Sequence, residues 1–187
     1  MSASKVKSYN VCVFCGSKSG NNKKFINIAS KLGEELSKKK YTVIYGGGTL
    51  GLMGALANSV LKDNGKLISI IPSSLKNSNI LSTKLCKTIY TKDFVERKKL
   101  MIKKATIFIV LPGGFGTLDE LFEVISLNQL KVINKKIILI DVDNFWNPLQ
   151  KLLKVIYKEG FLYNLKNSNI IFKKSVNKTI KFIEQNI

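Results

Sequence analysis

The sequence predicts one α/β domain, residues 1–187, built on a doubly wound parallel sheet. Two observations carry this. Short apolar runs alternate with amphipathic stretches of about ten to fifteen residues, the length of a crossover helix. Two glycine-rich runs, 46–54 and 112–116, each follow directly on an apolar run. In such a sheet ligands bind beyond the carboxyl ends of the strands, which is where both glycine runs fall.

The elements follow in order. Residues 11–14 form a short apolar strand. Residues 22–38 read as an amphipathic helix with Phe25, Ile28, Ala29, Leu32 and Leu36 on one stripe. Residues 41–45 are a second strand, and the first glycine run leads into a helix to about Lys62. A third strand, 67–71, stops at Pro72. The polar stretch 73–87 is expected as loop with some helix, and 87–90 as a short strand. Asp93 caps a helix to Lys104, with Glu96 placed as in a capping box. Residues 107–111 are a continuous apolar run of the fully buried kind. Thr117 is expected to open a helix to Ile133, followed by a strand at 137–140 and a helix at 147–159 with Gly160 as its C-cap. A last helix spans about 176–185. Neither a repeat nor a linker interrupts the pattern.

Composition excludes several function classes. Hydrophobic residues make up 45% and charged residues 23%, as in ordinary soluble domains. No run of 18 apolar residues is present, so no membrane span is expected. The first ten residues are polar and lack the apolar core of a secretory signal. With 3 cysteines, an odd number, a disulfide framework is not expected, and a reducing cytoplasm is. Histidine is absent, which removes the commonest general base and zinc ligand. No metal and no cofactor are expected. The net charge of +19 suggests a polyanion when taken alone. The lysines are spread along the whole chain, so the charge reads as a residue bias, with non-specific, salt-sensitive sticking and no specific nucleic-acid partner.

Arg97 is the one arginine among 31 basic residues, and it precedes the run Pro112-Gly113-Gly114-Phe115-Gly116-Thr117-Leu118-Asp119-Glu120. A guanidinium is planar, permanently charged and able to grip phosphate or carboxylate with two hydrogen bonds, which an ammonium cannot do. Gly113, Gly114 and Gly116 let backbone N–H groups approach an anion, and Thr117 adds a hydroxyl near a helix N-terminus. The plainer alternative is a capping box of Thr117 with Glu120, which needs no glycines. Neither glycine run is a Walker A loop or has the dinucleotide spacing after the first strand. Cys12 and Cys15 have CxxC spacing but no second pair. Asp141-Val142-Asp143 reads as a polar turn, with cation binding as the alternative, and Phe145 and Trp146 read as packing or interface residues.

These motifs together resemble the "lonely guy" family of phosphoribohydrolases, long labelled lysine decarboxylases. The resemblance rests on Pro112-Gly113-Gly114-x-Gly116-Thr117-x-x-Glu120, on Glu96-Arg97-Lys98 upstream, and on Gly46-Gly47-Gly48-x-x-Gly51-Leu52-Met53-Gly54 before both. It extends from Val11-Cys12-Val13-Phe14-Cys15-Gly16-Ser17 to Gly160-Phe161. It implies a Rossmann-like homodimer that releases adenine or cytokinin bases from nucleoside 5′-monophosphates without a metal. It implies Arg97 and Glu120 as the catalytic pair and phosphate binding by Gly114, Gly116 and Thr117, with Gly113 beside them in the substrate site. Lys98 and Ser126 match further ligand-contacting positions, and Gly16, Ser17, Gly47, Gly48, Gly51 and Met53 complete the expected surroundings of the substrate. One departure concerns Asn77-Ser78-Asn79, where the family usually carries an acidic residue. Asn79 can accept a hydrogen bond there but brings no charge.

The chemistry agrees with the residues. N-glycosidic cleavage passes through an oxocarbenium-like sugar, which a carboxylate such as Glu120 can stabilise while orienting water. Arg97 could hold the phosphate, hold a sugar hydroxyl, or help the base depart. A non-catalytic nucleotide or cofactor carrier on the same fold is the rival reading. The helix after the second glycine run carries Leu118, Leu121, Phe122, Ile125, Leu127 and Leu130, more apolar surface than one stripe needs, which points to a homodimer interface.

Overall fold

The structure is a computed structural model that describes residues 9–76, 86–162 and 164–186. Asn79 lies outside the described residues. Seven strands form one sheet: β1 (Asn10–Phe14), β2 (Thr42–Tyr45), β3 (Lys66–Pro72), β4 (Cys86–Thr91), β5 (Ile107–Val110), β6 (Ile137–Ile140) and β7 (Ile170–Lys173). Every neighbouring pair is parallel, in the order β4-β3-β2-β1-β5-β6-β7. The α-helices among the described residues are α1 (Lys23–Lys38), α2 (Gly51–Lys62), α3 (Phe94–Lys104), α4 (Phe115–Gln129), α5 (Asn147–Lys158) and α6 (Val176–Asn186). The doubly wound Rossmann-like architecture is the expected one.

Strand pleating divides the core into two layers. Val11 and Val13 of β1 face a layer closed by Leu32 and Leu36 of α1, Leu56 and Val60 of α2, and Ile180 and Ile183 of α6. Cys12 and Phe14, the alternate residues, face a layer closed by Met101 of α3, Leu121 and Val124 of α4, and Leu149 and Leu153 of α5. The central strands are buried on both faces. This explains why they read as continuous apolar runs.

The chain runs outward from β1 to β4, then crosses back to place β5 on the other side of β1. This reversal opens a crevice between the carboxyl ends of β1 and β5. The loops leaving the two strands are tied together there, Gly16 N–H donating to the Pro112 carbonyl at 3.1 Å. The site is therefore set by topology before any side chain is considered.

Three boundaries differ from expectation. Strand β7 was not foreseen, because it is a half-buried edge strand of four residues lying between asparagines and lysines. Helix α4 starts at Phe115, with Gly114 as its N-cap, so Thr117 sits inside the first turn and does not open the helix. The same helix ends at Gln129, where Lys131 turns to a left-handed φ of 58° although the apolar pattern continues through Val132 and Ile133. Asp93 caps α3 as expected, its Oδ1 accepting from Glu96 N–H at 2.8 Å, while the Glu96 carboxylate accepts from Lys92 N–H.

Helices α1 and α2 meet at Gly33, where a Cβ would lie 2.6 Å from the Leu56 carbonyl oxygen and 3.0 Å from Ser59 Cβ. Ala is a better helix former than Gly by about 1 kcal/mol. The neighbouring carbonyl belongs to a helix backbone and cannot move aside, so overpacking dominates. Gly33→Ala should lower stability by about 1–2 kcal/mol, read as a fall in the urea midpoint with an unchanged slope.

Candidate active site

Arg97 and Glu120 come from different helices and meet beneath the crevice. Arg97 lies in the first turn of α3, and Glu120 lies in the second turn of α4. Nη2 of Arg97 is 2.8 Å from Oε1 of Glu120, with the side chains 13% and 10% exposed. The guanidinium is also anchored behind the pair, Nε donating to the Ile70 carbonyl at the end of β3 at 3.0 Å. A Cβ on Gly46 would collide with Arg97 Nη2, so this glycine makes room for the guanidinium.

Burial pushes the Glu120 carboxyl above the usual carboxylate range, and the Arg97 charge and hydrogen bond hold it down against that. The nearby Cys12 and Cys15 thiols are pushed upward by burial, with the Glu120 charge adding to the effect. Both are inert neutral thiols in this setting. Cys12 belongs to the core layer closed by α3, α4 and α5, whereas Cys15 belongs to the opposite layer and lines the cavity above the charged pair.

A cavity of about 530 Å³ opens above the pair. Arg97, Glu120, Gly113, Gly114, Gly116 and Thr117 line one part of it, and Gly16, Ser17 and Met53 line another. The first turn of α4 offers an electropositive helix end here, since its opening N–H groups have no acceptor within the helix. Added Cβ atoms at Gly114 and Gly116 would meet nothing within 4 Å, so the backbone at both is open to a ligand. Gly113 differs, because a Cβ there would strike the Thr117 hydroxyl. The capping-box alternative is excluded by geometry. With Gly114 as N-cap, Thr117 is buried and the Glu120 carboxylate is engaged by Arg97.

Several expected residues sit elsewhere. Gly47, Gly48 and Gly51 do not line the cavity. Gly47 has φ +86° and packs on Ile71, Gly48 lies against Met53, and Gly51 has φ +59° against the Ser17 backbone. They shape the loop beneath the site. Lys98 is held by Asp119 at 3.0 Å and Glu123 at 2.7 Å, and it too is absent from the lining. Ser126 is exposed, about two turns beyond Glu120 on α4. Sequence reasoning missed Lys18, Ser19, Gly20 and Phe25, which do line the cavity, and read Phe145, also in the lining, as a packing or interface residue. Phe25 carried no separating signal, because it falls on the same apolar stripe as the core residues of α1. Asp141-Val142-Asp143 is a polar turn: Asp141 accepts from Trp146 N–H at 2.8 Å and pairs with Lys174. No group of three potential metal ligands occurs among the described residues.

Residues 53–183 match the family model described as "Possible lysine decarboxylase". A protein of Oryza sativa subsp. japonica named a probable cytokinin riboside 5′-monophosphate phosphoribohydrolase is 38% identical over 152 residues, covering 81% of this chain and 68% of that protein. An Arabidopsis thaliana cytokinin riboside 5′-monophosphate phosphoribohydrolase is 34% identical over 174 residues, covering 93% of this chain and 82% of that protein. The chain belongs to the lonely guy family. The solved structure of a molybdenum cofactor binding protein from Rippkaea orientalis superposes with a TM-score of 0.69 at 20% identity, over 96% of this chain and 97% of that one. That likeness is one of fold.

The Arg97–Glu120 ion pair should dominate the local stability of this crevice. Arg97→Met leaves the Glu120 carboxylate buried without its partner, at a cost of about 3 kcal/mol near neutral pH. The carboxyl of Glu120 then titrates even higher in the folded state than in the unfolded chain. The folded form therefore binds more protons, and stability falls as pH rises through the folded value. Urea unfolding at pH 5 and pH 8 should show the variant losing more stability than the wild type at the higher pH.

Proposed function

We propose that this protein hydrolyses the N-glycosidic bond of a purine nucleoside 5′-monophosphate, with adenine or an N6-modified adenine as the base. Two lines support the reading. Relatives in the family carry the name cytokinin riboside 5′-monophosphate phosphoribohydrolase. The buried Arg97–Glu120 pair shares one cavity with the glycine-lined N-terminus of α4, and the pair is the observation that carries the reading.

In this reaction the C1′–N9 bond breaks, the oxygen of a water molecule bonds to C1′, and one water proton goes to the base. The products are free base and ribose 5-phosphate. The N-terminus of α4, with Gly113, Gly114, Gly116 and Thr117, receives the 5′-phosphate through backbone N–H groups and the helix dipole. Glu120 stabilises the positive charge that develops on the sugar and accepts a proton from the attacking water. Arg97 keeps Glu120 ionised against the pull of burial and fixes its direction. A lysine at position 97 would supply charge but could not bond the Ile70 carbonyl and Glu120 through separate nitrogens of one rigid plane.

A homodimer in the cytoplasm completes the proposal. Phe115 is 91% exposed at the start of α4, and Leu130 and Val132 are 73% and 66% exposed just beyond its end. Apolar side chains this open at both ends of one helix fit a surface covered by a second subunit. No described helix is long and apolar enough to cross a membrane.

Glu120→Gln keeps the side-chain size and removes the charge. Turnover of AMP should fall by about 100-fold or more while nucleotide still binds. Arg97→Lys should also lose most activity. Near-normal release of free base by both folded variants would overturn the assignment, and nucleotide recovered intact from the wild type would favour a carrier. The pH profile gives a further check. Because the Glu120 carboxyl of the free protein is raised from its ordinary 4.5, the acid limb of kcat/KM should lie above that value, activity falling as pH drops through it.

A further inference from the structure

One wall of the cavity is built from features that phosphate binding and the Arg97–Glu120 pair do not explain. Phe25 and Phe145 both line the cavity, their rings 5.6 Å apart and edge to face at 77°. Phe145 stands in turn edge to face on Trp146, at 4.9 Å and 90°. Trp146 is 2% exposed and is the single tryptophan of the chain. Gly20 presses on the other side, where a Cβ would lie 2.9 Å from the Phe25 ring. An aromatic pair in this position offers a planar heterocycle a surface to lie against, and offers little to a phosphate.

The backbone that presents Phe145 adopts a left-handed conformation at two successive non-glycine residues, Asp143 (φ 48°) and Asn144 (φ 62°). Such conformations persist where neighbouring contacts hold them. The Asp143 carboxylate accepts from Asn22 Nδ2 at 2.8 Å and lies 3.0 Å from Lys24 Nζ. Asn22 is also the N-cap of α1, its Oδ1 accepting from Lys24 N–H at 3.0 Å. Asn144 is held by Lys174 at 2.7 Å. Asp143 thus ties the turn carrying Phe145 to the start of the helix carrying Phe25, which brings the two rings together.

We propose that Phe25 and Phe145 form the platform for the nucleobase, and that Asp143 is a positioning residue that sets the platform. The substrate class rests on the nucleotide reading above. These residues act on a planar aromatic group and not on the phosphorylated sugar.

The test compares AMP with ribose 5-phosphate, which has the sugar and phosphate but no base. Affinities are measured by calorimetry in a Glu120→Gln background, so that AMP is not consumed. Phe145→Ala should weaken AMP binding by roughly tenfold and leave ribose 5-phosphate within about twofold of its starting value. Phe145→Leu keeps the bulk without the ring, covers the case in which the alanine variant fails to fold, and should show the same selective loss. Asp143→Ala should lower the AMP-to-ribose-5-phosphate affinity ratio several-fold and shift the Trp146 emission, with Asp143→Asn intermediate because it removes only the charge. Equal loss for both ligands, or no loss for either, would overturn the platform. An unchanged ratio with unchanged Trp146 emission in Asp143→Ala would overturn the positioning role. Failure of the wild type to release base from AMP would instead sink the hydrolase reading, while the binding ratios still decide the role of the wall.

Discussion

The Glu120 carboxylate is withdrawn from water beneath the crevice, and its ion partner among the described residues is Arg97 at 2.8 Å. Taking either charge out of water alone costs several kcal/mol, so each holds its place only with the other present. The surroundings are arranged around that need. Helix α4 leaves β5 at the point where the strand order reverses, which brings Glu120 under the crevice. Helix α3 delivers Arg97, the end of β3 anchors its Nε, and Gly46 leaves the space its guanidinium fills. Removing any one of these elements would strand a buried charge.

This constraint also explains the division between the two glycine runs. The first, after β2, packs: Gly46, Gly47, Gly48 and Gly51 admit Arg97, Ile71, Met53 and the Ser17 backbone at distances that side chains could not share. The second, after β5, stays open at Gly114 and Gly116, where the backbone faces the cavity. One run builds the support beneath the charged pair, and the other offers donors above it. The sequence patterns look alike, and the strand that each follows decides what the glycines do.

The legible part of the fold was the part buried on both faces. Strands β5 and β6 are apolar and buried throughout, and β1, β2 and β3 carry buried apolar runs broken only by Asn10, Thr42, Lys66 and Ser69. Strand β7 lies at the sheet edge, half-buried, and its apolar residues are too few to separate it from a loop. The start of α4 was misplaced because Gly114 caps without a side chain, whereas Thr117 looks like a cap and lies inside the turn. In the site, Arg97 stood out as the one arginine in a lysine-rich chain, and Glu120 by its spacing from the glycines. Lys98 and Ser126 were placed by resemblance, and in this chain carboxylates hold the first while the second faces solvent. Phe25 and Phe145 gave no cavity signal in the sequence, because an aromatic ring on a helix stripe, or next to a tryptophan in a turn, looks the same whether it faces core or ligand.

The central claim is that a buried carboxylate cleaves a glycosidic bond whose phosphorylated end is held by the N-terminus of α4. Its most direct test is release of free base from AMP and from adenosine, assayed side by side with the purified protein. Phosphate anchoring predicts stoichiometric adenine and ribose 5-phosphate from AMP, with kcat/KM for adenosine lower by a factor on the order of 10³, the loss expected when remote binding energy is removed. Equal rates on both substrates, or adenine release from neither, would contradict it.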